Sequence, residues 1–393
     1  MITRDQASLL DDGDPLSHAR KRFVVPDGIV YLDGNSLGLM PRGVPARSEQ
    51  ILEQWSLRLI RGWMEEGWWE LPLRLGDRIG GLVGARPGSV VVCDTTTTNL
   101  YKALLAAAAL RPGRTDIVIE EGAFPTDRYV AESVAGRIGG RTRVMPRGGP
   151  SVDTFVDEEV AAVVMNHVDF RTAEIAHMSS VTEALHPSGA LVIWDLSHSA
   201  GVLPISLDLW DVDFAVGCTY KYLNGGPGAP AYLYVNAMHL EGSTNPIPGW
   251  IGHADPFLME AEYRPAGGVR RFITGTQPIV SMAVLDAALD AYDGVAMTAV
   301  REKTIALTEL FIDLVDERLG LEVASPRDPR ERGSQVSLRH PDAAGMYERL
   351  VAAGLQGDHR PPDLLRFGFA PLYVSYADVW DAVDILSSVL GNG

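Results

Sequence analysis

Cysteine is nearly absent from this 393-residue chain, which holds only Cys93 and Cys218. Two cysteines cannot build a disulfide framework, and a reducing, cytoplasmic setting is the expectation. No apolar run approaches the length that spans a bilayer, so no membrane partner is expected. The opening residues, MITRDQASLLDDGDPLSHARKRF, scatter acids and bases without an apolar core and do not read as a secretory signal. Positive charge is scarce as well: 34 Lys and Arg against 51 Asp and Glu leave a net charge of −17. That balance argues against a nucleic-acid partner, because phosphate backbones are bound by basic surfaces. Neither G-x-x-x-x-G-K-[ST] nor G-x-G-x-x-G occurs, which speaks against an NTPase or a dinucleotide enzyme. The nine histidines form no H-x-x-x-H or Cys/His cluster, and no metal is expected. There is no internal repeat and no low-complexity linker.

What is present describes an ordinary globular protein, 46% hydrophobic and 22% charged. The length predicts one large domain and a smaller one. SVVVCD (89–94), DIVIEE (116–121), RTRVMP (141–146), VAAVVMNHV (160–168), ALVIWDLS (190–197) and DFAVGCTY (213–220) read as strands. Several are apolar at consecutive positions, as in strands covered on both faces. Helical stretches such as TNLYKALLAAAAL and AEIAHMSSVTEALH lie between them, giving the βαβ rhythm of a mostly parallel, doubly wound α/β sheet. After about residue 280, long helical patterns lead into SQVSLRH, AAGMYERLVAAG, LLRFGF and YADVWDAVDILSSVLG, which predict a small α+β domain. The expected boundaries are 61–280 for the large domain and 281–393 for the small one, with residues 1–60 joining the latter.

Ligands of open α/β sheets bind beyond the carboxyl ends of the strands. Five strand ends here run into polar residues: DTTTTN, FPTD, NHVDFRT, DLSHSAG and YKYLNGG. The threonines precede a helix, where hydroxyls and free N–H groups make a phosphate cradle or a plain N-cap. Asp195 could pair with a protonated ring nitrogen or cap a turn. Phe124 could stack on an aromatic ring or fill the core. Lys221 sits between apolar residues and glycines, either on a surface turn or held to reach a single atom. Together, a phosphate cup, an aromatic face, an acid and a confined lysine meet the needs of pyridoxal 5′-phosphate (PLP). On that reading, glycine lets the chain after Lys221 pass close to the cofactor.

The motifs YLDGNSLG (31–38), DTTTTNLYK (94–102), FPTD (124–127), DLSHSAG (195–201), GCTYKYLNGGPG (217–228), GWIGH (249–253), RFITGTQPI (271–279) and LRFGFAPLYVSYADVW (365–380) span nearly the whole chain. With them the sequence resembles the kynureninases, fold-type I PLP enzymes. The resemblance implies hydrolysis of L-kynurenine, or its 3-hydroxy form, to anthranilate (or 3-hydroxyanthranilate) and L-alanine. Lys221 would hold the cofactor as a Schiff base, Asp195 would pair with the pyridinium nitrogen and His198 would stand near it. Tyr220 would contact the phosphate and move protons. Thr96, Thr97, Trp250 and Thr276 would complete the cup, Phe124 would stack on the ring with Asp127 alongside, and Arg366 would clamp the substrate carboxylate. Asn166 stands where relatives carry a hydroxyl residue. Trp63, in GWMEEGWWE, would shape the substrate pocket or pack in the core. A homodimer would share its sites, with Trp250 and Thr276 reaching from the partner subunit. The rival reading is a cysteine desulfurase or selenocysteine lyase, which needs a catalytic cysteine on a mobile loop of the second half. Both cysteines here precede Lys221, on segments that read as buried strands.

Overall fold

Consecutive apolar residues become strands wherever both faces of a sheet are covered. In the computed structural model, which describes residues 2–146 and 152–391, they do so in eight segments of the first 240 residues. These are β1 (Val30–Tyr31), β2 (Val90–Val92), β3 (Asp116–Glu120), β4 (Thr142–Met145), β5 (Val160–Asn166), β6 (Leu191–Asp195), β7 (Phe214–Gly217) and β8 (Tyr232–Val235). Seven of them form one sheet in the order β2-β8-β7-β6-β5-β3-β4. Strand β8 is antiparallel to both neighbours, and the other pairs are parallel. The carboxyl ends of β2, β3, β5, β6 and β7 therefore open on one side.

Alternation along the strands feeds two cores. Val163, Met165, Val192 and Trp194 join the core under the helix Leu71–Val83, while Ala162, Val164, Leu191 and Ile193 join that under the helix Thr96–Ala109. Fully burying one such aliphatic side chain stabilises the fold by about 1.5–3 kcal/mol. Trp194 is accommodated because its indole N–H finds the Thr182 hydroxyl at 3.1 Å.

The C-terminal part holds β9 (Gln335–Arg339), β10 (Leu355–Gln356), β11 (Asp358–Arg360) and β12 (Leu364–Gly368). Strands β11, β12 and β9 form an antiparallel sheet, and β10 pairs in parallel with β1. The N-terminal helix Arg4–Asp12 lies on the last helix, Tyr376–Gly391. Arg4 grips Asp381 through two hydrogen bonds of 2.6 and 2.8 Å. The Asp11 carboxylate accepts from the N–H groups of Tyr376 and Ala377, at 2.7 and 3.1 Å, and so caps that helix.

Three details differ from the sequence reading. Strand β8 was not anticipated. The helix expected over 173–186 forms only from Met178 to Leu185. The preceding residues turn back instead: the Asp169 carboxylate accepts from Thr172 N at 2.6 Å, Ala173 takes a φ of +63°, and Val168 pairs with Ile175. The strand expected to reach Tyr220 ends at Gly217, and Cys93 and Cys218 both lie just past strand ends.

Candidate active site

Where the strand ends meet, a cavity of about 240 Å³ is walled by Thr96, Thr97, Phe124, Asp127, Asn166 and Asp195, and further by His198, Tyr220 and Lys221. All nine are residues the sequence pointed to. Thr95, Thr126, Val168, Phe170 and Ser197 also line it. Of these, Val168 and Phe170 were missed because they follow a strand end as ordinary apolar residues. Thr95 belongs to the threonine run that the sequence offered as a cradle or an N-cap.

The threonine cup is a capped helix start. Thr95 takes an extended conformation, and its hydroxyl oxygen accepts from Thr98 N at 3.2 Å. The cap thus serves the third residue of the helix and leaves the N–H groups of Thr96 and Thr97 for a ligand. A helix of 14 residues adds the positive end of its dipole.

The acidic part comes from two strands. Asp195 ends β6, beside Asn166, which ends β5. Asn166 donates from Nδ2 to Asp127 at 2.8 Å and accepts from Phe124 N through Oδ1 at 3.3 Å, so it orients both. The Asp195 carboxylate accepts from Ser197 N at 2.7 Å and meets that of Asp127. Burial, and then the negative Asp195, push Asp127 well above the usual carboxylate range. Burial raises Asp195 too, against the opposing pull of the Ser197 bonds. Both carboxyls are thus shifted toward the protonated form.

Lys221 lies four residues past β7, with its Nζ 2.8 Å from His198 Nε2. Burial, with the Lys221, Arg366 and Arg360 cations next, holds the His198 imidazole well below its ordinary value, so it is neutral and accepts that contact. Tyr220 is pushed up, chiefly by burial, and keeps its phenolic proton.

The glycines after Lys221 line no part of the cavity, contrary to the expectation that they admit the cofactor. They shape the turn instead: Gly226 and Gly228 have φ of +84° and +74°. The close approach is made by Gly38 of YLDGNSLG, where a Cβ would lie 2.4 Å from the Lys221 carbonyl oxygen. Gly38 N also donates to the Tyr220 carbonyl at 2.9 Å. GWIGH and RFITGTQPI are joined in the same way, since a Cβ on Gly249 would overlap the Thr274 carbonyl oxygen at 1.3 Å.

Four expected residues stand outside the cavity wall. Arg366 is buried behind Phe170, donating to its carbonyl, and is ion-paired with Asp358. Trp250 and Thr276 are exposed. Trp63 packs edge-on against Trp68 and Trp69, with ring centroids 6.0 and 6.4 Å away, in a separate apolar groove. Its contacts are packing contacts.

The family model described as the kynureninase C-terminal domain matches residues 300–386. The kynureninase of Burkholderia pseudomallei (strain 1106a) is 44% identical over 401 residues, spanning 99% of this chain and 96% of that one. This chain belongs to the kynureninase family. Solved structures place the kynureninase fold more widely. A cysteine desulfurase from Escherichia coli superimposes with a TM-score of 0.82 at 18% identity, covering 96% of this chain and 98% of its own. A C-DES mutant with glycine covalently linked to its PLP cofactor gives 0.81 at 16%, covering 93% and 98%. At such identities the likeness is one of fold: the fold-type I α/β architecture expected from the sequence. Among the described residues, no helix is long and apolar enough to cross a membrane.

Proposed function

We propose that this kynureninase-family chain is a PLP-dependent hydrolase that cleaves L-kynurenine to anthranilate and L-alanine. The observation that carries the reading is 44% identity to a kynureninase over 99% of the chain, borne by a chain whose Lys221 opens into the cavity built above. The residues present fit PLP. Thr96 and Thr97 offer hydroxyls and unclaimed N–H groups for a phosphate, Phe124 an aromatic face, and Asp195, beside Asp127, a carboxyl group for a ring nitrogen. When bound, PLP supplies the electron sink for the pair left behind at the substrate Cα.

Each protein group then has a task. Lys221 ties down the cofactor and afterwards takes the proton from the substrate Cα. Neutral His198 receives hydrogen bonds from the Lys221 amine and fixes its direction. Asp195, steadied by Ser197 and by Asp127, which Asn166 orients, keeps the ring nitrogen protonated. Tyr220 hands its proton to Cβ as the bond to the γ-carbonyl carbon breaks, and Arg366 receives the substrate α-carboxylate. Hydrolysis adds one water across the bond between Cβ and the γ-carbonyl carbon.

A homodimer is part of this reading. Trp55, Leu59 and Ile60 are 61%, 64% and 78% exposed along the groove that holds Trp63, and Trp250 is 42% exposed nearby in the aromatic chain through Trp69. Such a contiguous apolar face calls for a partner, and a second copy would also receive Trp250 and Thr276 at its cavity. A cytoplasmic enzyme of tryptophan breakdown or NAD synthesis suits the two unpaired, buried thiols. Those thiols also weaken the desulfurase reading: burial pushes Cys93 up to about 11 and raises Cys218, the opposite of what a thiolate nucleophile needs.

The test is anthranilate fluorescence after mixing protein, PLP and L-kynurenine, with 3-hydroxykynurenine and cysteine run beside it. Anthranilate release supports the assignment. Sulfide from cysteine with no anthranilate overturns it.

A further inference from the structure

Between β2 and the threonine-capped helix stands Asp94, whose φ of +49° lies in the left-handed region. Aspartate enters that region more readily than most residues with a Cβ, and here a buried partner fixes its side chain. Lys102, two turns into the same helix, does the holding. Its side chain is fully buried, and Nζ donates to Asp94 Oδ2 at 2.7 Å, to the Phe272 carbonyl at 2.8 Å and to Cys93 Sγ at 3.3 Å. Three acceptors use all three hydrogens of an ammonium, so nothing is left for a ligand. The second Asp94 oxygen accepts from the Thr274 hydroxyl at 3.1 Å. One ion pair thus joins the turn ahead of Thr95, the helix behind it and the segment leading to Thr276.

We infer that Lys102 and Asp94 are positioning residues for the phosphate of the cofactor, an inference that rests on the PLP reading above. The pair carries no net charge, so it adds little attraction for a dianion. As a source of stability it is also weak, since apolar groups of equal volume often serve as well. What it fixes is direction. Residue 94 immediately precedes the cap, and a change of its backbone angle swings Thr95, Thr96 and Thr97 together out of the cavity wall. A misplacement of about 1 Å in such a constellation costs on the order of 100-fold in function.

This geometry predicts a defect confined to the phosphate. Protein freed of cofactor is titrated with PLP and with pyridoxal, which lacks the phosphate, and the spectral change on binding is followed. In Lys102→Met the PLP dissociation constant rises about tenfold or more, while that for pyridoxal stays at the wild-type value. Removing one partner of a buried pair also destabilises a fold. The double variant Lys102→Met/Asp94→Asn, which leaves no buried charge, is therefore measured alongside, and it shows the same selective loss with a wild-type-like melting temperature. Equal affinities for PLP in variant and wild type overturn the inference, as does a parallel fall for both ligands, which marks general loosening. A wild-type protein that binds PLP no better than pyridoxal removes the PLP reading itself, and the inference with it.

Discussion

Asp358 and Arg366 face each other across antiparallel strands β11 and β12, and their charges meet through two hydrogen bonds, Nε to Oδ1 at 2.7 Å and Nη2 to Oδ2. Burial alone would raise the Asp358 carboxyl, but Arg366 overrides it and holds the group below its ordinary value. The guanidinium also donates to the Phe170 carbonyl and, at 3.2 Å, to the Ser36 hydroxyl. Arg366 is thus a preset cation, its plane locked before any substrate arrives, next to a residue of the cavity wall. Arg366→Ala is expected to raise KM for L-kynurenine about 10- to 100-fold, the worth of a lost charge-assisted bond. Arg360 stays 3.0 Å from Asp358, so that carboxylate keeps a partner in the variant. An unchanged KM in steady-state kinetics would place the carboxylate clamp elsewhere.

Asp33 lies against this pair and gives a pH dependence with a definite sign. Its Oδ1 has no hydrogen-bond partner, and burial first, then the negative Asp358, push its carboxyl up to about 7. Ser36, Arg366 and Arg360 pull the other way without prevailing. The unfolded chain releases this proton near pH 4, whereas the folded one keeps it to about 7. Between those values the native state binds more protons, so stability falls as pH rises and levels off above 7. Asp33→Asn removes the penalty. Its melting temperature is expected to exceed that of wild type by roughly 2–4 °C more at pH 8 than at pH 5. An equal gain at both values would show an ordinary carboxylate at this position.

Asp195 and Asp127 divide one task, and substitution separates their parts. Asp195→Ala is expected to lower kcat by about 10²–10⁴-fold. PLP affinity should change far less, because Thr96 and Thr97 remain. Asp127→Asn keeps the shape of the pair and a hydrogen-bonding group toward Asn166, and is expected to act more mildly. Turnover near that of wild type in Asp195→Ala, read from anthranilate release, would remove the pyridinium role.

The cavity was legible in the sequence because its parts are local. Polar residues at five strand ends are visible one by one, and the parallel sheet gathers those ends on one side. What escaped depends on distant partners. Nothing around Arg366 announces that Asp358, eight residues earlier, claims its guanidinium, or that Phe170, 196 residues away, accepts from it. Lys102 looks like one more charge on a helix, and only the fold shows it sealed against Asp94 and Phe272. The glycines after Lys221 were read as room for a cofactor, although Gly38, far upstream, makes the close contact. The helix expected from Ala173 fails for a local reason: the Asp169 side chain captures the backbone first and turns it back. Strand β8 is legible in hindsight as YLYV, four buried residues with strong strand preference.

The exposure of Trp250 and Thr276 makes the assembly itself testable. In a dimer that shares its sites, each cavity takes Lys221 from one copy and Trp250 with Thr276 from the other. Lys221→Ala is inactive at every site it builds with its own lysine position. A Trp250→Ala/Thr276→Ala variant is impaired at every site that it completes for a partner. Subunits of the two, unfolded together and refolded at equal amounts, form mixed dimers in which one cavity has an intact lysine and intact partner residues, while the other has neither. About half of all dimers are mixed, so about a quarter of the cavities are whole, and anthranilate production is expected to recover to about that fraction of wild type. Recovery requires exchange across the interface, because no single variant chain carries both intact parts. Activity that never rises above the mean of the two parent variants would place Trp250 and Thr276 in the service of their own subunit, or of none.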